Sequence, residues 1–497
     1  YRENNEARSL VLQKQLRRYA PVSLTAELTG LGDADKEALI LLVRAATIMD
    51  EIFYLQVWHS NPVLREWLKE HANVSQLDNL KWMSCLDENE AFLTTADSAV
   101  KLLPEATKPI TGWKGVQYRA AFPMLKPSGA NFYPPDMDKM VTHEFLHVLQ
   151  RMEFKLWTTG LSLDKQKDAT SFFTVIKRHS QVYWDNHIFD STHLSEGSTH
   201  DLYSIPYSQE YHSFLTRVSD LLHKAGDLVS SPSLKRLLHS KADAFLSNDY
   251  HDSDIAWMEL DSKLDVTIGP YETYEDSLFG YKATFEAFIG VRDEKATAQL
   301  KLFGDNLQVL EQNLPMDDTY KSKDIIAAPI RVVQLLFNAG WILGMGMERM
   351  KLNKLLLLPE FTFLDKVEKE LWLLPASDVK GPQTIAFNLP NDERIVKDRG
   401  TAMVILKNVS EAKCEIFILN PIADACIAKE QYELVDFESF FTHTICHECC
   451  HGIGPHTITL PDGRKSTVRL ELQDLHSALE EAKADIVGLW ALNFLIK

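Results

Sequence analysis

The run His447-Glu448-Cys449-Cys450-His451, followed downstream by the acidic run Glu480-Glu481-Ala482-Lys483-Ala484-Asp485, constrains this chain more than any other stretch. Two imidazoles at i and i+4 project from one side of a helix and can share one tetrahedral ion, with Zn–N roughly 2.0–2.1 Å. His447 and His451 meet that spacing. Glu448 sits too far round the helix to join the same ligand set but is well placed to hold a metal-bound water, which makes it the candidate general base. The helix itself is legible: Asp436 is an N-cap, Phe437, Phe441, Ile445 and Cys449 form an apolar stripe, and Gly452, Gly454 and Pro455 stop it.

A catalytic zinc needs a third protein ligand. Leu470 to Leu495 reads as a second helix, with Leu472, Leu475, Leu479, Ala482, Ile486 and Leu489 as its apolar stripe. Glu481 flanks that stripe and is the expected third ligand. Ser477, Ala478, Asp485 and Gly488 are small residues on the same side that let the first helix approach. Glu480 and Asp485 are then acceptors for the outward N–H groups of the two histidines, fixing their tautomers. Between the helices, Ile458 to Val468 reads as a hairpin about Pro461-Asp462-Gly463. The cysteines leave an alternative open, a structural zinc site using Cys446, Cys449 or Cys450 in place of the glutamate.

HExxH followed by EExxxD resembles the M49 metallopeptidases, the dipeptidyl peptidase III family, whose usual first motif is the six-residue HExxGH. The five-residue form here, HECCHGIGPH with EEAKAD, is similar to plant proteins that join a Nudix domain to a dipeptidyl peptidase III-like domain. The likeness runs along nearly the whole chain. It implies a mostly helical α+β fold of two lobes around a cleft. The lower lobe, with a small β-barrel and helices, is expected at residues 1–295 with 378–415, and the zinc-bearing helical upper lobe at 296–377 with 416–497. It also implies Zn2+ as cofactor and short peptides with a free N-terminus as substrates, from which dipeptides are released.

Further roles follow from the resemblance alone. Tyr274 would steady the tetrahedral intermediate, Glu272 and Glu286 would hold the substrate's amino terminus, and Asn388 and Asn391 would contact the peptide. Thr284 stands where other members have a further glutamate. Taken without the family, Gly269 to Asp276 reads as a polar, aromatic turn leading to a strand. Gly381 to Asn391 reads as a short strand ending at a turn, of the kind that takes an extended peptide by edge addition.

Residues 141–152 and 341–377 have no family counterpart and read as insertions. The first contains a second HExxH, His143-Glu144-Phe145-Leu146-His147, which lacks a following helix with paired acids and is not expected to bind metal. Elsewhere, Ala26 to about Leu103 reads as helical scaffold, and Phe214 to Leu246 as a helical stretch broken in two by Gly226 and Pro232.

Composition bounds the rest. The chain has 497 residues, 45% hydrophobic and 25% charged, as expected of globular domains. A net charge of −18 argues against nucleic acid or an anionic membrane as partner and favours substrates with a positive N-terminus. Six cysteines without a disulfide framework point to a reducing compartment, and cytoplasmic location is the expectation. Beginning at Tyr1, the sequence reads as a fragment. A covalently linked Nudix domain upstream is expected, although no Nudix box occurs within the chain. The family's active site also needs a histidine and basic groups downstream of Lys497. The rival from another class is a catalytically silent, peptidase-like scaffold that binds zinc without turnover.

Overall fold

A computed structural model describes residues 22–24, 26, 28, 30–57, 129–134, 154, 157–179, 202–273, 275–276, 278–322, 329–339, 371–373, 386–411, 419–455, 457–472 and 476–496. The fold is mostly helical α+β, and the chain forms two compact units, residues 1–290 with 335–383 and residues 291–334 with 384–497. No helix among the described residues is long and apolar enough to cross a membrane.

In the first unit, α1 (Asp33–Val57) buries Leu39, Leu42, Ala46, Met49 and Phe53 and packs on α2 (His212–Leu228). The expected break between the next two helices falls at residues 229–231. Ser231 caps α3 (Pro232–Ser247) by accepting from Leu234 N, with Pro232 at the first helical position, where its missing N–H is no loss. Gly226 lies inside α2 instead of ending it. A Cβ there would come within 2.9 Å of the His239 ring of α3, which would have to turn aside. After α3 comes α4 (His251–Met258).

The strands are β1 (Val22–Leu24), β2 (Thr174–Arg178), β3 (Leu202–Pro206), β4 (Leu264–Glu272), β5 (Thr284–Arg292), β6 (Ile330–Ala339), β7 (Leu371–Leu373), β8 (Ala386–Leu389), β9 (Ala402–Leu406), β10 (Thr457–Thr459) and β11 (Lys465–Thr467). Two-stranded pairs join β1 with β7, β2 with β3, and β10 with β11. The remaining five form one sheet in the order β4-β5-β6-β9-β8, with β9 parallel to β6 and antiparallel to β8. Where the resemblance implies a small barrel, the described strands form a row with β4 and β8 at its ends. Gly269 to Glu272, expected as part of a turn, belongs to β4, whose nearly continuous burial marks a strand covered on both faces.

The loop from β4 to β5 is tightly tied. Asp276 accepts from Tyr133 Oη (2.8 Å) and from the backbone N–H of Phe279, Tyr281 and Lys282. Buried Lys282 donates to Ala169 O, Ser171 O and Thr174 Oγ1, and its burial, partly offset by Asp276, lowers its pKa to about 7. Gln56 of α1 accepts from Phe285 N and donates to Ala283 O, fixing the start of β5.

The second unit is built on one apolar cluster. Leu300 and Phe303 of α5 (Glu294–Gly304) and Leu307 and Leu310 of α6 (Leu307–Gln312) meet Val332 of β6 and Met403 and Ile405 of β9. Phe441, Ile445, Cys446, Cys449 and Cys450 of α7 (Phe437–Cys450) complete it. The α7 stripe is therefore the one expected, and Asp436 caps the helix by accepting from Ser439 N at 2.8 Å.

The second helix departs from expectation in two ways. Its described part is a short turn at Val468–Leu472 and then α8 (His476–Ile496). The face turned to the core is Ala484, Gly488 and Ala491, with Val487, Trp490 and Leu492 partly covered, while Leu479, Ile486 and Leu489 of the expected stripe are exposed. Helix contact here selects for small residues, and periodicity alone could not separate the two stripes.

Candidate metal centre

All three expected ligands lie in the second unit. His447 sits in the last turn of α7, and His451 is its C-cap residue, with its N–H shared between the carbonyls of His447 (3.2 Å) and Glu448 (3.3 Å). Opposite them runs α8. Gly488 is the contact point: a Cβ there would stand 3.0 Å from His447 N and 3.2 Å from Cys446 C, so any side chain would push the two backbones apart by a few tenths of an ångström. The chain returns between the helices through the β10–β11 hairpin, with Gly463 at φ +83° in its turn.

His447 Nε2 and His451 Nε2 are 3.2 Å apart, with the rings perpendicular. Glu481 Oε2 lies 3.2 Å from the first nitrogen and 3.9 Å from the second. Among the described residues, these three form a group whose ligand atoms all fall within 4.8 Å of one another. The outward nitrogens are also engaged: His447 Nδ1 donates to Asp485 Oδ1 at 2.8 Å, and His451 Nδ1 to Glu480 Oε1 at 2.9 Å. A carboxylate only accepts, so each Nδ1 carries the proton and each Nε2 presents a bare lone pair. Two bare nitrogens and a carboxylate oxygen facing one another are an arrangement a cation satisfies. Two nitrogens bound tetrahedrally at the usual Zn–N length stand about 3.3 Å apart. The donor set fits zinc.

Burial raises the Glu448 carboxyl above the ordinary carboxylate range, a shift moderated by His451 and His447. Burial also works to raise Glu480, but the hydrogen bond from His451 and the contact with Lys483 outweigh it and hold that carboxyl down at about 2. His451 moves up: burial opposes the charged form, and the Glu480 hydrogen bond and the neighbouring glutamates overcome it. The alternative thiolate ligands are disfavoured. Cys446, Cys449 and Cys450 are buried in the apolar cluster, and burial pushes Cys446 and Cys450 up to about 12 and Cys449 well above the ordinary thiol.

Three contributors were missed in the sequence. His443 stands one turn before His447, its Nε2 3.8 Å from Asp485 Oδ1, and the i, i+4, i+8 spacing of His443, His447 and His451 was there to be read. Lys483 reaches from α8 to the end of α7. Glu311, fully buried, accepts from Gly454 N at 2.8 Å and so holds the turn that ends the metal helix; nothing in its local pattern marks it.

The other expected site residues divide. Glu272 and Glu286 lie in the first unit on β4 and β5. Burial raises Glu272 to about 7, and burial followed by the charge of Glu272 raises Glu286 well above the ordinary range. Glu286 is 1% exposed and its Oε2 has no hydrogen-bond partner. Thr284 between them donates to Glu272 O at 3.0 Å. Asn388 is exposed on β8, the end strand of its sheet, and Asn391 follows just past it. Tyr274, the second HExxH at His143 and both expected insertions, except Leu371–Leu373, lie outside the described residues.

Comparison with known proteins follows the same direction. The sequence model of peptidase family M49 matches residues 124–344. The chain is 63% identical over 504 residues to Nudix hydrolase 3 of Arabidopsis thaliana, covering 99% of this chain and 59% of that protein. It thus spans less than two thirds of that curated relative's length. Among solved structures, DPP III from Caldithrix abyssi superposes with a TM-score of 0.71 at 36% identity, over 97% of this chain and 75% of the other. Dipeptidyl-peptidase III from Corallococcus sp. strain EGB gives 0.69 at 36% identity, over 98% and 75%.

Proposed function

Because this chain belongs to the M49 peptidase family, the dipeptidyl peptidases III, we propose that it is a zinc-dependent exopeptidase releasing dipeptides from the N-terminus of short peptides. The observation that carries the reading is the convergence of His447 Nε2, His451 Nε2 and Glu481 Oε2, with both Nδ1 protons held by carboxylates. His447, His451 and Glu481 would hold the ion, and Asp485 and Glu480 would orient the two rings. When bound, zinc supplies a Lewis acid for the scissile carbonyl and lowers the pKa of a water toward neutrality.

The chain's own groups do the rest. Glu448 takes the proton of the attacking water and passes it to the leaving amine; its raised pKa brings it nearer the working pH, where a general base that later acts as an acid is most effective. Tyr274 donates a hydrogen bond to the developing oxyanion. Glu272 and Glu286 pair with the substrate's ammonium, which would compensate two carboxyls that burial now disfavours as anions. The peptide backbone lies along β8, with Asn388 and Asn391 as contacts. Cleavage at the second peptide bond is part of this proposal. The two-lobed division at 1–295 with 378–415 and 296–377 with 416–497, and a cytoplasmic location, belong to this proposal.

The test is cleavage of one short peptide with its N-terminus free and then acetylated, with products identified by mass. Dipeptide release from the free form alone is expected, because a buried acidic pair left without its cation discriminates strongly. Equal rates, or cuts scattered along the peptide, would overturn the amine anchor. The Arabidopsis relative's name favours a second reading, in which this body is joined to a Nudix domain and serves it as a scaffold. That reading expects zinc uptake without dipeptide release.

A further inference from the structure

Resting on the zinc reading, we propose that Lys483 is a positioning residue for the metal site, fixing the backbone of His451 directly and its ring through Glu480. Lys483 Nζ lies 3.0 Å from Cys450 O, 3.1 Å from His451 O and 2.9 Å from Ile453 O. It is also 2.7 Å from Glu480 Oε1, the same oxygen that accepts from His451 Nδ1 at 2.9 Å. One ammonium from α8 thus gathers three carbonyls at the end of α7 and the carboxylate that orients a ligand of that same helix.

The physical need is specific to His451. His447 is inside α7, where its carbonyl accepts from His451 N and its backbone is braced against Gly488. His451 is the C-cap residue, where the last carbonyls of a helix have no intrahelical partner and the helix end carries partial negative charge. A cation is the group suited to both conditions. Lys483 is the residue that supplies it, and it comes from the helix that also bears Glu481, so the ligands of α7 and α8 are registered to each other through one charge. Glu480 Oε1 accepts from His451 Nδ1 and so sets which way that ring faces. Lys483 holds Glu480 Oε1 where the ring needs it. Lys483 acts through Glu480 and the helix end and is not a catalytic group.

The experiment uses the full chain stripped of metal and titrated with Zn2+ against a competing chromogenic chelator, for wild type, K483M, K483R, E480Q and the double variant E480Q/K483M. K483M should weaken zinc binding by roughly 10- to 100-fold, the range expected when a group that orients a ligand is lost. K483R, which keeps the charge and several donors, should recover most of that loss. The double variant should lose less than the product of the two single losses, because part of what Lys483 does passes through Glu480 and is removed by either change. If K483M does not fold, K483Q takes its place in the same cycle. Equal affinity for wild type and K483M, or losses that multiply in the double variant, would overturn the proposal while leaving the zinc reading standing. A loss of metal-free thermal stability with unchanged zinc affinity would do the same, since it would mark a helix cap and nothing more. Wild-type protein that takes up no zinc would overturn both together.

Discussion

Gly488→Ala isolates the contact on which the metal site depends. The added Cβ would lie 3.0 Å from His447 N and 3.2 Å from Cys446 C and from His447 Cα, all backbone atoms of α7 that cannot swing aside as a side chain would. Overpacking of this kind costs about 1–3 kcal/mol. Alanine is the better helix former by about 1 kcal/mol, so the net loss of stability is roughly 0–2 kcal/mol. Stability alone is therefore a weak readout, and the geometry of the site is a strong one. To relieve the clash, α8 must move back by a few tenths of an ångström, carrying Glu480, Glu481 and Asp485 away from their histidines. Zinc affinity should then fall by about tenfold or more, as it does when groups orienting a ligand are displaced. Chemical unfolding followed by circular dichroism gives the first quantity and chelator competition the second. A variant stabilised by about 1 kcal/mol with zinc affinity unchanged would show that the two helices are not in contact at this point.

Two other perturbations probe the site and the acidic pair. Glu448→Ala should retain zinc and lose more than about a hundredfold in dipeptide release, because the residue moves a proton and ligates nothing; undiminished turnover would remove it from the mechanism. Glu272 carries a folded pKa raised from 4.5 to about 7, so its contribution to stability is intact below about pH 4.5 and is lost as pH rises through about 7. Glu272→Gln cannot ionise, so its stability relative to wild type should rise between pH 5 and 8, by an amount on the order of 3 kcal/mol at most. A difference that is flat or falls over that window in urea titrations would contradict the buried-carboxyl account.

The metal helix was legible because its signals are local. Asp436 as cap, the stripe at Phe441, Ile445 and Cys449, and the i, i+4 histidines are all properties of one element, and the structure repeats them. The Gly488 approach was also readable, since a glycine inside a helix that must lie against another asks for such a reason. The orientation of α8 was not. Both Leu479-Ile486-Leu489 and Ala484-Gly488-Ala491 have helical spacing, and the larger residues drew the expectation although the smaller ones make the contact. Lys483 and Glu311 escaped for a different reason. Their partners are backbone groups brought near by tertiary folding, Lys483 with the end of α7 and Glu311 with Gly454, and no periodicity announces a carbonyl or an N–H in need of a partner. The extent of β4 was hidden by Gly269-Pro270, residues that read as a turn and here lie within a strand.

Metal analysis of wild type, His451→Ala and His143→Ala tests the central claim most directly. The sequence holds two HExxH runs, and the proposal places the ion at the second, where His447, His451 and Glu481 converge. Wild type and His143→Ala should each carry roughly one zinc per chain and His451→Ala essentially none, as expected for a site of three protein ligands that loses one. Zinc retained in His451→Ala and lost in His143→Ala would place the metal at the other run and contradict the account.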